Sequence, residues 1–396
     1  MTKVYSKSMN LSLGSDRLIG RIEGALPGPT LIFIGGIHGN EPAGVLALKK
    51  VLDALVLKRE VFKGNLYAYS GNLSALKKGV RYNKEDLNRL WTNTNIKKLE
   101  DHHNSELADE RKEQKELFFT LKQILSKEIG PFYFFDLHTT SSKTIPFITV
   151  NDSLLNRKYT AQYPIPIILG IEEYLEGALL SYINELGYIA FGFEGGQHDD
   201  PEAINNHVSF IFLSLYFSGS LNSSEFEFEK HYALLSKNTR GYEDFYEIFM
   251  RYEIKPFETF KMNPGFANFQ SVNKGHVLAS SNNNTITAHQ NARIFMPLYQ
   301  GKGNDGFFLI RKVPKVFLKL STFFRKIRFD KILPILPGVR WTSDKKDELI
   351  VNLKIARFFT KDFLHLLGYR SRKIDKNYLR VKNREAAARD SEYENL

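Results

Sequence analysis

Residues 31–41 read LIFIGGIHGNE, and this stretch constrains the fold more than any other in the chain. The run Leu31, Ile32, Phe33, Ile34 is apolar and predicts a buried strand. Gly35-Gly36 ends it, and the polar cluster His38-Gly39-Asn40-Glu41 follows at once. Pro42 stands where the first turn of a helix would be, and Val45, Leu46, Leu48, Val51, Leu52 and Leu55 continue at helical spacing to about Lys58. His38 and Glu41 therefore lie in a turn between a core strand and a helix. Open α/β sheets carry their sites at the carboxyl ends of strands, so an α/β fold with a site here is expected. An imidazole and a carboxylate so spaced can share one metal ion. The spacing is common by chance, and on an ordinary helix it would read as a solvated polar pair.

The rest of the first half repeats this logic. Residues 1–26 read as one or two strands leading to a Pro27-Gly28-Pro29 turn. Asn65–Ser70 alternates as a strand, Gly71-Asn72 closes it, and Leu73–Lys78 is a short helix. RYNKEDLNRLW at 81–91 holds three candidate anion binders, Arg81, Asn88 and Arg89, although a solvated loop fits that composition too. Lys97–Lys127 reads as one long surface helix with His102 and His103 exposed near its start. Phe132–Leu137, FYFFDL, is again a buried strand, and it delivers His138 at its carboxyl end. Pro164–Leu169 and Gly187–Phe193 read as strands with a helix Leu175–Leu186 between them. The second delivers Glu194 beside Gly195-Gly196, and a helix from Asp200 to about Tyr216 follows.

His38, Glu41 and His138 together offer three nitrogen and oxygen ligands, a common set for catalytic zinc, which keeps a fourth position for water. One Zn2+ per chain is the expected cofactor. Such an ion acidifies water and polarises a carbonyl. Glu194 can then carry a proton from that water to a leaving amine, and an arginine from the 81–89 loop can stabilise charge on the carbonyl oxygen. These parts describe hydrolysis of an amide, and less readily of an ester.

GGIHGNE, RYNKEDLNR, FDLHTTSS and EGGQH, in this order, resemble the succinylglutamate desuccinylase/aspartoacylase family of the zinc carboxypeptidase-like superfamily. The resemblance extends over roughly 28–312, through YEDFYEIF, NPGFANF and the PLY…DGFFLIR stretch. It implies a mixed central sheet flanked by helices, followed by a smaller all-β domain. It also implies zinc on His38, Glu41 and His138, Glu194 as the catalytic carboxylate, and Arg81 near the scissile carbonyl. Asn88 and Arg89 would hold a substrate carboxylate, and the substrate would be an N-acyl amino acid or similar small acylated molecule. The chain departs from the pattern between Leu175 and Phe193, where aspartoacylases carry an arginine for a further carboxylate. Here there is none, and Glu172, Glu173 and Glu176 lie nearby. Two other readings stay open: a peptidase of the carboxypeptidase type, and a binding module that senses a small ligand without catalysis.

The division expected is 1–220 for the catalytic domain, 221–312 for a small β domain and 313–396 for a basic, partly helical extension. His276 and His289 fall in expected hairpins of the β unit and are read as structural or exposed. The loop Gln300–Gly306 is glycine-rich but lacks the Lys-Ser/Thr of a phosphate loop. The net charge of +11 resides wholly in the extension: residues 312–396 carry 21 basic and 10 acidic side chains, and the preceding residues balance. No nucleic-acid partner is therefore expected for the body. The stretch VFLKLSTFFRKIRFDKILPILPGV reads as a helix packed on the body with its basic face in water, or as a segment that adheres weakly to an anionic membrane. The last residues, VKNREAAARDSEYENL, are expected to fray. With no Cys, no apolar leader and no run of about 18 apolar residues, a soluble cytoplasmic protein is expected.

Overall fold

The computed structural model describes residues 2–6, 11–101, 109–342, 346–356 and 361–394. Its centre is a sheet of eleven strands. Leu26–Gly35 pairs in parallel with Lys63–Ser70 on one side and with Phe132–Thr140 on the other. Ile189–Gln197 continues in parallel beside Phe132–Thr140, and Phe147–Val150 then runs antiparallel beside it. The central strands are buried on both faces, which is why they read as unbroken apolar runs.

Alternate residues of each strand serve opposite faces. Leu31, Phe33, Tyr133, Phe135, Phe191 and Phe193 pack into one core together with helices Ala43–Leu55 and Pro201–Phe217. Ile32, Ile34, Phe132 and Phe134 pack into the other with helices Glu110–Lys127 and Leu179–Glu185. The α/β class with a mixed sheet between helical layers is thus observed.

Several elements differ from expectation. The strand Leu26–Gly35 runs through Pro27-Gly28-Pro29 rather than turning there, and the prolines fall where pairing to the neighbouring strand shifts register. The long charged helix is two helices, Asn93–Asp101 and Glu110–Lys127; His102 and His103 lie outside the described residues. The helix expected from Leu175 begins at Leu179. Gly177, at φ 73°, lies against the Arg89 carbonyl so closely that a Cβ would sit 2.2 Å from its oxygen, and helical backbone cannot start there. Ile189–Gln197 extends past Phe193, so Glu194 lies within the strand and not beyond it.

After a helix, Phe228–Thr239, the chain adds strands to the same sheet: Phe245–Glu253 joins Ile167–Leu169 in parallel, and Asp305–Lys312 and Ala292–Phe295 follow antiparallel. Phe260–Met262, Val277–Ser281 and Asn284–Thr287 form a three-stranded antiparallel sheet with its own apolar centre around Leu278 and Phe307.

The extension is a folded α+β unit. Helix Lys315–Lys326 leads to a four-stranded antiparallel sheet whose core includes Leu349, Val351, Tyr369 and Val381. The end of the chain does not fray as expected. Val381, Asn383 and Tyr393 are buried, and the Tyr393 hydroxyl donates to the Phe132 carbonyl while accepting from the Ile189 N–H. A single buried tyrosine that satisfies backbone groups at the start of two central strands outweighs the polar composition around it.

Candidate functional site

The turn after Leu26–Gly35 is fixed by its glycines. Gly36 adopts φ 72°, and a Cβ on Gly39 would lie 2.1 Å from the Ala75 carbonyl carbon, so the turn sits directly on helix Leu73–Lys78. This close seating aims His38 and Glu41 at the end of the adjacent strand, where His138 emerges. Glu41 then bridges the two imidazoles. Its Oε1 lies 2.9 Å from His38 Nδ1, and its Oε2 lies 3.0 Å from both His138 Nδ1 and the Thr139 N–H.

The far nitrogens of both rings meet aspartates. His38 Nε2 lies 3.2 Å from Asp86 Oδ1, and His138 Nε2 lies 2.7 Å from Asp136 Oδ2. An ionised aspartate only accepts, so each Nε2 carries a proton and each Nδ1 faces the shared carboxylate. Carboxylates that orient imidazoles in this way are the usual outer support of metal-ligating histidines. The ligand atoms of His38, Glu41 and His138 all lie within 4.8 Å of one another, and the three residues are buried. Two Nδ1 lone pairs cannot rest against a carboxylate unless a cation or added protons lie between them. The donor set and its burial therefore fit a divalent metal such as Zn2+. With protons alone, burial works against charge on both sides. Even so, Asp136 and Glu41 hold His138 well above the ordinary imidazole range, and the two histidines hold Glu41 well below the carboxylate range.

Glu194 is the register partner of His138 on the neighbouring strand, so the two side chains leave the same face of the sheet. It is buried, and its Oε2 has no hydrogen-bond partner. Burial pushes its carboxyl up to about 8, with Glu41 and Asp136 adding to the rise and His138 and Arg81 opposing it. A buried carboxyl in that state can exchange protons near neutral pH.

Arg81 is half-buried beside the cluster, donating to Asp86 Oδ2 at 3.1 Å and lying 3.6 Å from Glu41 Oε1. Arg89 gives one N–H to the Asn88 carbonyl at 2.9 Å and reaches Asp305 at 3.4 Å. Asn88 Oδ1 accepts from the Leu179 N–H at 2.9 Å, so it caps the helix that begins there. His38, Glu41, Arg81, Asn88, Arg89, His138 and Glu194 all line one cavity.

The same cavity is lined by residues that the sequence reading did not assign. Gln300 reaches it from the glycine-rich loop and accepts from Asn40 Nδ2 at 3.2 Å. Behind the lining residue Thr139 stands His198, not itself on the cavity wall, 2.8 Å from Thr139 Oγ1, and burial keeps its imidazole below the usual range. Glu172, from the segment where an arginine was sought, also lines the cavity. Its Oε1 accepts from Arg384 Nε at 2.8 Å, and the same guanidinium donates to Glu173 at 2.6 Å. Arg384 of the extension thus backs Glu172 and does not itself line the cavity.

A mixed sheet between helical layers thus carries a His-Glu-His cluster that could hold a metal ion, with a buried glutamate beside it, at the carboxyl ends of its central strands. Residues 27–204 match the family model of the succinylglutamate desuccinylase/aspartoacylase catalytic domain. This stretch, a little under half of the chain, is similar to that family's catalytic domain. The chain is 28% identical over 165 residues to a "Probable aspartoacylase" of Acaryochloris marina, a match spanning 40% of this chain and 52% of that protein. It is 32% identical over 116 residues to a succinylglutamate desuccinylase of Photorhabdus laumondii, spanning 28% of this chain and 33% of the relative. The matched segments therefore span about half and a third of these relatives. The fold is similar to that of the crystal structure of succinylglutamate desuccinylase from Vibrio cholerae, with a TM-score of 0.56 at 16% identity over 78% of this chain and 90% of that one. Among the described residues no helix is long and apolar enough to cross a membrane.

Proposed function

We propose that the protein is a zinc-dependent hydrolase that cleaves the amide bond of an N-acyl amino acid or a related small acylated substrate. The observation that carries this reading is the convergence of two aspartate-backed histidines, a bridging glutamate and a partnerless buried carboxyl, Glu194, on one cavity.

His38, Glu41 and His138 would hold the metal, which when bound polarises the scissile carbonyl and acidifies a water. Glu194 takes the proton of the attacking water and passes it to the departing amine, so that one acid and one amine leave. Arg81, held by Asp86, donates to the carbonyl oxygen as negative charge grows there. Arg89 and Asn88 hold a carboxylate of the substrate beside the reacting amide. Arg89 has N–H groups left for this, since its contact with Asp305 is long. Turnover of N-acyl amino acids by the zinc-loaded protein, lost on chelation and restored by zinc, tests the whole reading. Failure of the loaded protein on a broad panel of N-acyl amino acids overturns it.

Two narrower outcomes are expected. His138→Ala should take zinc content well below one per chain, because two ligands hold the ion far more weakly than three. Full occupancy in that variant removes His138 from the ligand set. Arg89→Lys keeps the charge and loses the fork, so it should raise KM for an N-acyl amino acid by about tenfold while kcat changes little. The matched substrate with a carboxamide in place of the carboxylate should not respond. Equal responses from both substrates would mean that Arg89 only fixes Asp305.

A further inference from the structure

Helix Lys315–Lys326 is packed the wrong way round for a surface helix. The residues it buries are Ser321 and Arg325. The Arg325 side chain is wholly enclosed: Nη1 donates to the Asp152 carbonyl at 2.8 Å and to Glu385 Oε1 at 3.0 Å, and Nη2 to Asp152 Oδ2 at 2.8 Å and the His365 carbonyl at 2.7 Å. Meanwhile the apolar residues at helical spacing, Val316, Leu320, Phe323 and Ile327, stand in water, with Val316 76% and Phe323 57% exposed. Turning this stripe inward would expel Arg325 from four hydrogen bonds and take one of their cationic partners from Asp152 and Glu385. The outward display of the stripe is therefore fixed by the strongest contact the helix makes.

The apolar surface continues beyond the helix through Ile332 and Ile335, the latter 81% exposed. Every exposed charge along it is basic: Lys315, Lys319, Lys326, Arg328 and Lys331. The one acid between residues 312 and 340, Asp330, is buried and accepts from the Tyr369 hydroxyl and Asn383. Apolar residues in a row, flanked only by Lys and Arg, match the chemistry of a helix lying in the interface of an anionic bilayer, its stripe among the acyl chains and its lysines at the headgroups. An acidic protein groove or a second copy of the chain would cover the stripe as well. A second copy, however, brings the same basic rim against itself. We propose that this face docks the protein on an anionic lipid surface, independently of the chemistry in the cavity.

The test is sedimentation of the full chain with vesicles of phosphatidylcholine alone and of equal parts phosphatidylcholine and phosphatidylserine. Wild type should sediment with the anionic vesicles, and the bound fraction should fall as salt rises. Phe323→Asp, and separately Lys319→Glu with Lys326→Glu, should each weaken binding at least tenfold, since each charge near the surface contributes about fivefold and a charge in the apolar stripe more. These side chains are exposed, so circular dichroism and melting should match wild type. Three results overturn the proposal: no sedimentation with anionic vesicles at low salt, equal binding to neutral vesicles, or a wild-type dimer in solution that Phe323→Asp converts to monomer.

Discussion

Glu194→Gln, loaded with zinc, should turn over its substrate about a hundredfold more slowly than wild type, or worse. The amide matches the carboxyl in shape and can still donate and accept hydrogen bonds, but it cannot take a proton from water. Its position makes this a clean substitution. Glu194 stands opposite His138 on the next strand, its Oε2 has no partner to lose, and burial already disfavours its charged form. The variant should therefore keep its fold, its melting temperature and its metal. Metal analysis and melting are the controls, and kcat is the readout. Turnover within a few fold of wild type, at equal metal content, would assign the proton transfer to another group, and His198, which contacts the cavity-lining Thr139, would be the next to test.

How far the site could be read from sequence depended on where each residue sits relative to a buried strand. His38 and His138 stand at the ends of the runs LIFI and FYFFDL, and such runs are unmistakable because parallel central strands bury both faces. Their supports were harder to see. Asp136 lies inside FYFFDL, two residues before His138, and the period of a strand puts both on one face. An acid in an otherwise apolar strand was a signal that the sequence reading passed over. Asp86 gave none, since it follows Asn83, Lys84 and Glu85 in a run of four polar residues. The strand Phe147–Val150 is four residues long and has too few positions for its alternation to stand out. The order of the chain's last stretch, expected to fray, escaped the sequence for a different reason. The extension's anchors to the body are single residues, Arg325, Arg384 and Tyr393, whose partners there lie 173, 212 and 261 positions away in the chain. Local composition carries no trace of such pairing, and a terminal stretch rich in Arg, Glu and Ala looks the same whether it is solvated or locked.

Arg384→Ala should lower the stability of the protein by about 3–5 kcal/mol, the size of the loss when one partner of a buried ion pair is removed. The side chain is nearly enclosed, and its guanidinium is shared by Glu172 Oε1 at 2.8 Å, Glu173 Oε1 at 2.6 Å and the Tyr369 carbonyl at 2.7 Å. Without it, Glu172 is left buried with no cation paired to it among the described residues, whereas Glu173 still has His365 beside it. The loss should therefore shrink when the orphaned charge is removed as well. Glu172→Gln in the Arg384→Ala background should recover part of it, and the coupling between the two sites should exceed 1 kcal/mol in a double-mutant cycle, as for residues in direct contact. Acid should have a related effect on the neighbouring Asp152. Burial would raise its carboxyl, but Arg157, Arg325 and Arg384 more than offset this and hold it well below the ordinary range. A group depressed in the folded state adds stability above its unfolded value, near 3.8, and loses it as pH falls further. The wild-type denaturation midpoint should therefore drop below about pH 4 more steeply than that of Asp152→Asn. The cavity is tied to the same network, because Glu172 lines it. Arg384→Ala protein that is still folded at low temperature should consequently show an altered KM. If Arg384→Ala unfolds at the wild-type denaturant concentration, the extension is not locked to the body through this residue, and Glu172 must find its counter-charge elsewhere.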